Sequence, residues 1–301
     1  MPNETFFRLA HISDLHFSKI SWNPLQFFSK RWLGNLNLLL ARQYAFAPDH
    51  LTTLIPLFHE RKIDAVLITG DLTSTSQEAE FEMAQEFIEM LKQEHFKVFV
   101  LPGNHDQYTK SACKKQSFYQ FFPAQYGPPT DPLSSLSLKD DGITAAYFGH
   151  GWWLIALDTA IATSLVSSNG YFSEKVEQKL EKALKDLPSG HQAILINHFP
   201  IFSNESSRKS LLRKEALKKI MEKFPQIKLF LHGHTHRHTI ADLRASALPI
   251  MLDSGSAAQK AGGTWNQIDI TSAGCTVEVF KNTWENGSFL WNNFQTVQFK
   301  W

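Results

Sequence analysis

The sequence predicts an α/β fold with a parallel central sheet and a second sheet that antiparallel strands complete. Over residues 6–101, short apolar runs ended by polar residues alternate with helical segments. The resulting β-α-β-α-β order requires parallel pairing with right-handed crossovers. After residue 240 the pattern changes to short alternating runs typical of antiparallel strands.

Length, charge and cysteine content restrict the class of protein. The 301 residues suit one elaborated α/β domain, so we predict a single domain over residues 1–301. The formal net charge of +1 argues against an extended nucleic-acid-binding surface. Two cysteines are too few for a disulfide framework. The sequence shows neither a signal-peptide pattern nor an apolar run of about 18 residues, so we expect a cytoplasmic protein.

The first predicted strand, residues 6–12, runs into Ser13-Asp14-Leu15-His16. In an extended chain the two-residue period points Asp14 and His16 to the same side. Both are metal-ligand types, although this motif alone is more often a turn or a buried pair.

Residues 17–48 form a predicted insertion with four basic residues, no acidic residue and many aromatic ones. Its place directly after two candidate ligands favours a flap over a site. A surface that meets lipid headgroups and acyl chains fits the same composition. A helical insertion packed on its own domain is the third interpretation, because aromatic residues more often lie in a core.

Two more predicted strands end in polar residues. Residues 64–69 lead into Gly70-Asp71, and residues 98–101 lead into Pro102-Gly103-Asn104-His105-Asp106, with an amphipathic helix over 77–95 between them. Ligand and catalytic sites of open α/β sheets favour the carboxyl ends of strands. Asp71, Asn104, His105 and Asp106 are therefore candidate site residues.

The middle of the chain is less regular. Residues 107–150 are rich in proline and glycine, and we interpret them as a cap or connecting segment. A strand over 192–196 then ends in Asn197-His198. A helix over 208–224 carries seven basic residues, which is typical of a solvated face, with a phosphate-attracting surface as the alternative.

The last motif follows a predicted strand at 227–231 and reads His232-Gly233-His234-Thr235-His236. Gly233 permits a tight turn, and alternation places His234 and His236 together. Across five segments, seven nitrogen and oxygen ligands now follow predicted strands: Asp14, His16, Asp71, Asn104, His198, His234 and His236. Because one carboxylate can bridge two cations, this set suits a dinuclear centre.

Such a centre favours hydrolysis of phosphoesters. Two metals about 3.5–4 Å apart stabilise the attacking and leaving oxygens and lower the pKa of a bound water, so that hydroxide exists near neutral pH. The leaving alkoxide also needs a proton. We assign that role to His105, with Asp106 as the residue that orients it.

The ordered motifs resemble the five signatures of calcineurin-like metallophosphoesterases: Asp14-x-His16, Gly70-Asp71, Gly103-Asn104-His105-Asp106, His198 and Gly233-His234-Thr235-His236. The resemblance covers residues 6–256 and is closest to the cyclic-nucleotide phosphodiesterase branch. It implies a four-layer α/β/β/α sandwich with the metal centre at the strand ends.

The resemblance also implies a division of the ligands. Asp14, His16, Asp71 and His236 would hold one metal, and Asp71, Asn104, His198 and His234 the other, with Asp71 as the bridge. One position departs from the family: members acting on cyclic nucleotides or glycerophosphodiesters often have two consecutive histidines before proline, whereas this chain has Asn197-His198. This departure weakens any inference about the substrate.

Three functions fit these observations. The leading one is a metal-dependent phosphodiesterase similar to the cyclic-nucleotide branch. The first alternative, motivated by residues 17–48, is a pyrophosphatase acting on a nucleotide-linked lipid such as UDP-2,3-diacylglucosamine, which would bring the protein to the membrane periphery. The second alternative is a metal-binding scaffold without turnover. The ligand set accepts manganese, iron or zinc, and the sequence does not define the oligomeric state.

Overall fold

The computed structural model of the chain describes residues 5–19, 46, 48–123, 132–164, 167–202, 207–285 and 288–301. Two six-stranded sheets share one hydrophobic core. The first sheet contains Thr5–Ile12 (β1), Ala65–Ile68 (β2), Lys97–Val100 (β3), Thr264–Thr271 (β12), Gly274–Glu285 (β13) and Ser288–Lys300 (β14), in the spatial order β14-β13-β12-β1-β2-β3. The second contains Ile143–Gly149 (β4), Trp152–Leu157 (β5), Gln192–Ile196 (β7), Ile227–His232 (β9), His238–Asp242 (β10) and Ile250–Ser254 (β11), in the order β10-β11-β9-β7-β5-β4. A small ribbon pairs Gly170–Tyr171 (β6) with Leu211–Leu212 (β8).

Helices cover the outer faces of both sheets. Leu54 and Phe81 lie on the two helices that join the core of the first sheet, and Leu180 and Leu217 lie on two that pack on the second. The predicted α/β/β/α sandwich is therefore confirmed. The described α-helices are Leu54–Glu60 (α1), Glu78–Gln93 (α2), Lys110–Lys114 (α3), Ser117–Phe121 (α4), Leu138–Asp141 (α5), Glu174–Asp186 (α6) and Lys214–Lys223 (α7).

Strand pairing matches the predicted parallel core but not every predicted partner. β1, β2 and β3 run parallel, as do β5, β7 and β9. Two expectations for the region after residue 240 are wrong: β11 pairs parallel with β9, and β12 and β13 extend the first sheet through β1. The alternation of apolar and polar residues along a strand indicates which of its faces is buried. It does not indicate the neighbouring strand, because that pairing depends on residues far away in the sequence.

Helix α2 shows why the segment folds as predicted. Glu80 accepts hydrogen bonds from the backbone N–H groups of Gln77 (3.1 Å) and Thr75 (2.8 Å), which stabilises the first turn. The apolar side chains expected on one face are all buried: Phe81, Ala84, Phe87, Ile88 and Leu91. This burial holds α2 against the first sheet and so positions the loops at the strand ends.

Two predicted segments are only partly described. Within 17–48, residues 20–45 and 47 lie outside the described residues, so the three interpretations of this insertion stay open. Within 107–150, residues 124–131 lie outside them. The rest of that segment is not wholly a cap, because β4 forms an edge strand of the second sheet beside β5.

Among the described residues, no helix is both long enough and apolar enough to cross a bilayer.

A half-buried carboxylate outside the strand-end site, Asp158, predicts a pH-dependent stability. Tyr119 lies with its hydroxyl 2.5 Å from Asp158 Oδ2 and 3.2 Å from the Leu138 carbonyl, and the Ala160 N–H donates to Asp158 Oδ1. Burial raises the pKa of Asp158 from 3.8 to about 6. Because the folded chain then binds this proton more tightly than the unfolded chain, the free energy of unfolding should fall as pH rises through that interval.

We expect Asp158→Asn to remove this loss, because an amide can donate to Tyr119 while still accepting from Ala160. The variant should be more stable than the wild type by about 1–2 kcal/mol at pH 7.5, with a smaller difference at pH 4. Urea unfolding at both pH values measures this, and an equal difference at the two pH values would contradict the assignment.

Candidate metal centre

The residues that follow the strands have an unusual backbone conformation. Five of the seven predicted ligands have a positive φ between 48° and 74°, in the left-handed region: Asp14, His16, Asp71, His234 and His236. Residues other than glycine rarely adopt it, and such strain concentrates at functional sites. The predicted pairs do converge, but through left-handed turns beyond the ends of β1 and β9 rather than through strand alternation.

Backbone hydrogen bonds hold these turns together. The N–H of Asp14 donates to the Gly70 carbonyl and the N–H of His16 donates to the Asp71 carbonyl, both at 3.0 Å. The loop after β1 therefore runs beside the loop after β2. The N–H of His105 donates to Asp71 Oδ1 at 2.7 Å, which attaches the loop after β3. Three parallel strand ends are thereby joined around Asp71.

One group of side chains meets beside β1. The ring nitrogens Nε2 of His16 and His236 are 2.9 Å apart, and Asp14 Oδ1 lies 3.1 Å from His236 Nε2. One ligand atom from each of four residues lies within 4.8 Å of the others, an arrangement that could hold a metal ion: Asp14, His16, Asp71 and His236.

A second group shares Asp71 with the first. Asp71, His198 and His234 place one ligand atom each within 4.8 Å of one another. Asn104 Oδ1 is 3.2 Å from His198 Nε2, so the predicted amide ligand lies at the same place. The other ring nitrogens of His198 and His234 lie 2.7 and 3.1 Å from the carbonyls of Thr69 and Lys209, which orients the rings as metal-binding histidines require.

The electrostatics of this cluster favour cations. Burial alone would raise the pKa of Asp14, but the His236 ring holds that pKa below its usual range. Burial also opposes the ionisation of Asp71. The interactions with the His198 and His105 rings outweigh this effect of burial, so the pKa of Asp71 lies well below its usual value. Burial disfavours protonated His198, yet Asp71 raises its pKa to about 9. Two buried, ionised carboxylates thus draw positive charge into the centre.

An incompletely bonded oxygen supports the same conclusion. Asp14 Oδ2 accepts from the His234 N–H at 3.0 Å, whereas Asp14 Oδ1 is buried and, apart from the His236 ring nitrogen, has no donor among the described residues. Buried carboxylate oxygens normally have full partners. Together with the imidazole nitrogens and the amide oxygen of the cluster, Asp14 Oδ1 completes a donor set that suits manganese, iron or zinc.

Two glycines permit the close approach of these loops. A Cβ on Gly103 would lie 2.2 Å from Asp71 Oδ1, and one on Gly233 would lie 2.0 Å from Ser13 Oγ and 2.5 Å from Asp14 Oδ2. No larger residue fits either position without displacing a predicted ligand. The glycine of each motif is therefore a packing requirement of the centre.

Residues behind the ligands fix the last histidine motif. Asp253 Oδ2 accepts from the Thr235 hydroxyl at 2.7 Å and lies 3.3 Å from His232 Nδ1. Ser256 donates through its hydroxyl to the Asp14 carbonyl at 2.6 Å. His11 Nε2 lies 3.0 Å from Thr69 Oγ1. These groups support the ligands through hydrogen bonds and backbone contacts.

His105 and Asp106 lie beside the centre, but their predicted relation needs correction. His105 Nδ1 lies 2.6 Å from the Ser74 carbonyl, which therefore orients the ring. Asp106 instead accepts from the N–H groups of Leu72, Thr73 and Gly103 at 2.8–3.1 Å. It joins the loops after β2 and β3, and so positions His105 only through the backbone.

The asparagine that departs from the family pattern has a structural role. Asn197 accepts from the Thr159 hydroxyl at 2.6 Å and donates to the Phe199 carbonyl at 2.8 Å. Its side chain is thus held within the fold, and His198 is the residue of this motif in the ligand cluster.

Two aromatic neighbours of the centre were not predicted. Phe46 lies edge-on to His16 and His236, with ring centroids 4.9 and 5.6 Å away, and Tyr108 stacks on His105 at 5.4 Å. Phe46 belongs to the basic aromatic insertion, so its composition was a usable signal. Tyr108 carries no local signal, because its stacking depends on the fold of the loop after β3.

Comparisons with known proteins agree with this arrangement. A sequence model described as calcineurin-like phosphoesterase matches residues 7–238. The 3',5'-cyclic adenosine monophosphate phosphodiesterase CpdA of Escherichia coli (strain K12) is 29% identical over 189 residues, 61% of this chain and 58% of that protein. The glycerophosphodiester phosphodiesterase GpdQ of Enterobacter lignolyticus is 23% identical over 242 residues, 80% of this chain and 74% of that protein. The match to CpdA thus spans less than two thirds of that relative.

Solved structures share the fold at low sequence identity. A dimetal phosphatase from Danio rerio superposes with a TM-score of 0.65 at 13% identity, covering 99% of both chains. The purple acid phosphatase PPD1 of yellow lupin superposes with a TM-score of 0.59 at 12% identity, covering 91% of this chain and 51% of that one.

Proposed function

The chain belongs to the calcineurin-like phosphoesterase family, and from this premise we propose that it is a phosphodiesterase that works with two metal ions. The observation that carries the proposal is the pair of ligand groups that share Asp71. Relatives named as cyclic-nucleotide and glycerophosphodiester phosphodiesterases support a diester as the substrate class.

The ligand assignment follows the two groups. Asp14, His16, Asp71 and His236 would hold one ion, and Asp71, Asn104, His198 and His234 the other, with manganese, iron and zinc as candidates. When bound, such a pair neutralises charge on the phosphoryl oxygens and acidifies water. The chain's own contribution is a mostly buried ligand set whose rings and carboxylates are held by hydrogen bonds before the substrate arrives.

His105 is our candidate proton donor to the leaving oxygen. With Nδ1 on the Ser74 carbonyl, Nε2 is the nitrogen that exchanges its proton. The ring is half-buried and its centroid lies 5.0 Å from that of His16, so it borders the first ligand group. A donor at this distance can reach a leaving group on a phosphoester held by the metals.

The first experiment compares metal-stripped and metal-reconstituted protein on cyclic AMP, bis(4-nitrophenyl) phosphate, a phosphomonoester and UDP-2,3-diacylglucosamine. We expect metal-dependent cleavage of the diesters. Full activity after metal removal would exclude the mechanism. Tight metal binding without turnover on any of the four would instead support the metal-binding scaffold.

A specific contact favours the nucleotide-linked lipid as the second candidate substrate. Phe46, near the end of the basic aromatic insertion, packs on His16 and His236 of the first ligand group. An apolar wall at this position suits a substrate with acyl chains, and peripheral membrane contact through residues 17–48 would follow.

Deletion of residues 22–40, which lie outside the described residues, separates the two substrates. If the insertion binds acyl chains, the deletion should reduce the turnover of UDP-2,3-diacylglucosamine by about 100-fold or more and spare bis(4-nitrophenyl) phosphate. Parallel steady-state assays measure both. Equal loss on both substrates would argue against a lipid-binding role.

A further inference from the structure

The long edge strand β14 is the surface that the proposed activity does not use. It spans Ser288–Lys300, and in the part of the chain that the structure describes its one hydrogen-bonded neighbour is β13. Its outer edge therefore carries a row of backbone N–H and C=O groups that no described strand pairs. Such an edge is a template for pairing with another strand.

The other three edges of the two six-stranded sheets have the usual protection against such pairing. β3 has four residues and begins with the exposed Lys97. β10 has five residues and ends at Asp242, whose Oδ2 lies 2.6 Å from the Arg244 guanidinium. β4 has seven residues and an irregular register between Tyr147 and Gly149. Short length and charge are features that keep natural edges from associating, and a bulge shortens the regular part of a strand further.

β14 has thirteen residues, and residues 288–299 contain no charged side chain and no proline. A bulge at Phe294 interrupts β14 as well, but it leaves two regularly paired runs of six residues each, 288–293 and 295–300. Phe294 is 63% exposed and Leu290 is 44% exposed. Lys281 on β13 lies 5.3 Å from the Phe294 ring.

The chemistry of the edge selects the type of partner. A lipid surface cannot satisfy exposed backbone N–H and C=O groups, so an open edge of this length is unfavourable in hydrocarbon. Another β-strand satisfies them directly. An uncharged strand also pairs with an identical strand without repulsion between like charges, and antiparallel pairing of two identical strands forms a closed two-fold contact.

We propose that β14 is a dimerisation edge, which pairs antiparallel with β14 of a second copy of this chain and joins the two first sheets into one continuous sheet. A contact made through one edge strand is smaller than the roughly 1,600 Å² of a standard stable interface. The dimer should therefore form in a concentration-dependent way.

The test compares the wild type with Leu290→Lys/Gln298→Lys, which places two charges on exposed edge positions. Met90→Lys/Gln93→Lys is the matched control, because it also introduces two lysines, one for an apolar residue and one for a glutamine, on exposed positions of α2. Light scattering on a sizing column, from about 1 µM to about 200 µM, should show the wild type and the control approaching twice the monomer mass. The edge variant should dimerise at least tenfold more weakly.

Hydrogen exchange locates the contact independently of the variants. Amides in residues 288–300 should exchange more slowly as the wild-type concentration rises, whereas those in β3 should not change. A monomer at every concentration would overturn the proposal, and so would a dimer that the edge variant retains fully. Protection of residues 288–300 that requires anionic lipid vesicles, rather than more protein, would overturn it in favour of a membrane contact.

Discussion

Asp71→Asn should abolish most phosphodiesterase activity and empty both metal positions. Asp71 is the carboxylate common to both ligand groups. The substitution replaces its negative charge with a neutral amide, whose NH2 group donates hydrogen bonds and cannot bind a cation. We expect kcat/KM for bis(4-nitrophenyl) phosphate to fall by about 1,000-fold or more. Asparagine tolerates the left-handed backbone that Asp71 adopts, so the change tests the charge rather than the fold.

Metal content measured by inductively coupled plasma mass spectrometry is the second readout for Asp71. Asp158→Asn, the same substitution at a carboxylate outside the centre, is the control and should retain two ions per chain. Asn104→Ala should lose one ion only, because Asn104 lies with the second ligand group. Two bound ions and normal activity in Asp71→Asn would refute the shared ligand.

His105→Ala should keep both metals and lose most of the rate. By our assignment His105 donates a proton to the leaving oxygen and binds no metal, so we expect kcat to fall by about 100- to 1,000-fold at unchanged metal content. Steady-state kinetics measures kcat, and metal analysis of the same preparations measures the bound ions.

The control for His105 is Tyr108→Phe, which preserves the ring that stacks on it. This variant should retain nearly full rate. The division of roles would be wrong if His105→Ala and Asn104→Ala emptied the same metal position, because His105 would then act through the metal centre. A substrate with a better leaving group should rescue His105→Ala partly, since it needs less protonation.

Much of the fold and of the candidate site was predictable because the signals are local. Apolar runs such as the one before Asp71 mark buried strands, and the polar residues after them mark the edge where sites form. The amphipathic pattern of α2 and its buried face were also readable from the sequence. The ligand candidates were identified from residue type and strand-end position alone.

The tertiary structure decided what depends on residues distant in the chain. The pairing of β11 with β9 and of β12 with β1 joins segments that periodicity cannot connect. The orientation of His105 depends on the Ser74 carbonyl, a backbone group with no sequence signature, whereas the adjacent Asp106 serves the loops instead.

The amino-acid sequence by itself determined which residues stand at the strand ends and which chemistry they can perform. The left-handed turns at Asp14, His16 and Asp71 arise only when neighbouring loops pair, because the hydrogen bonds that stabilise this conformation come from another strand end. The same holds for the exposed edge of β14, since an edge exists only after a sheet has formed. Local composition therefore specified the candidate ligands, and long-range pairing specified how they meet.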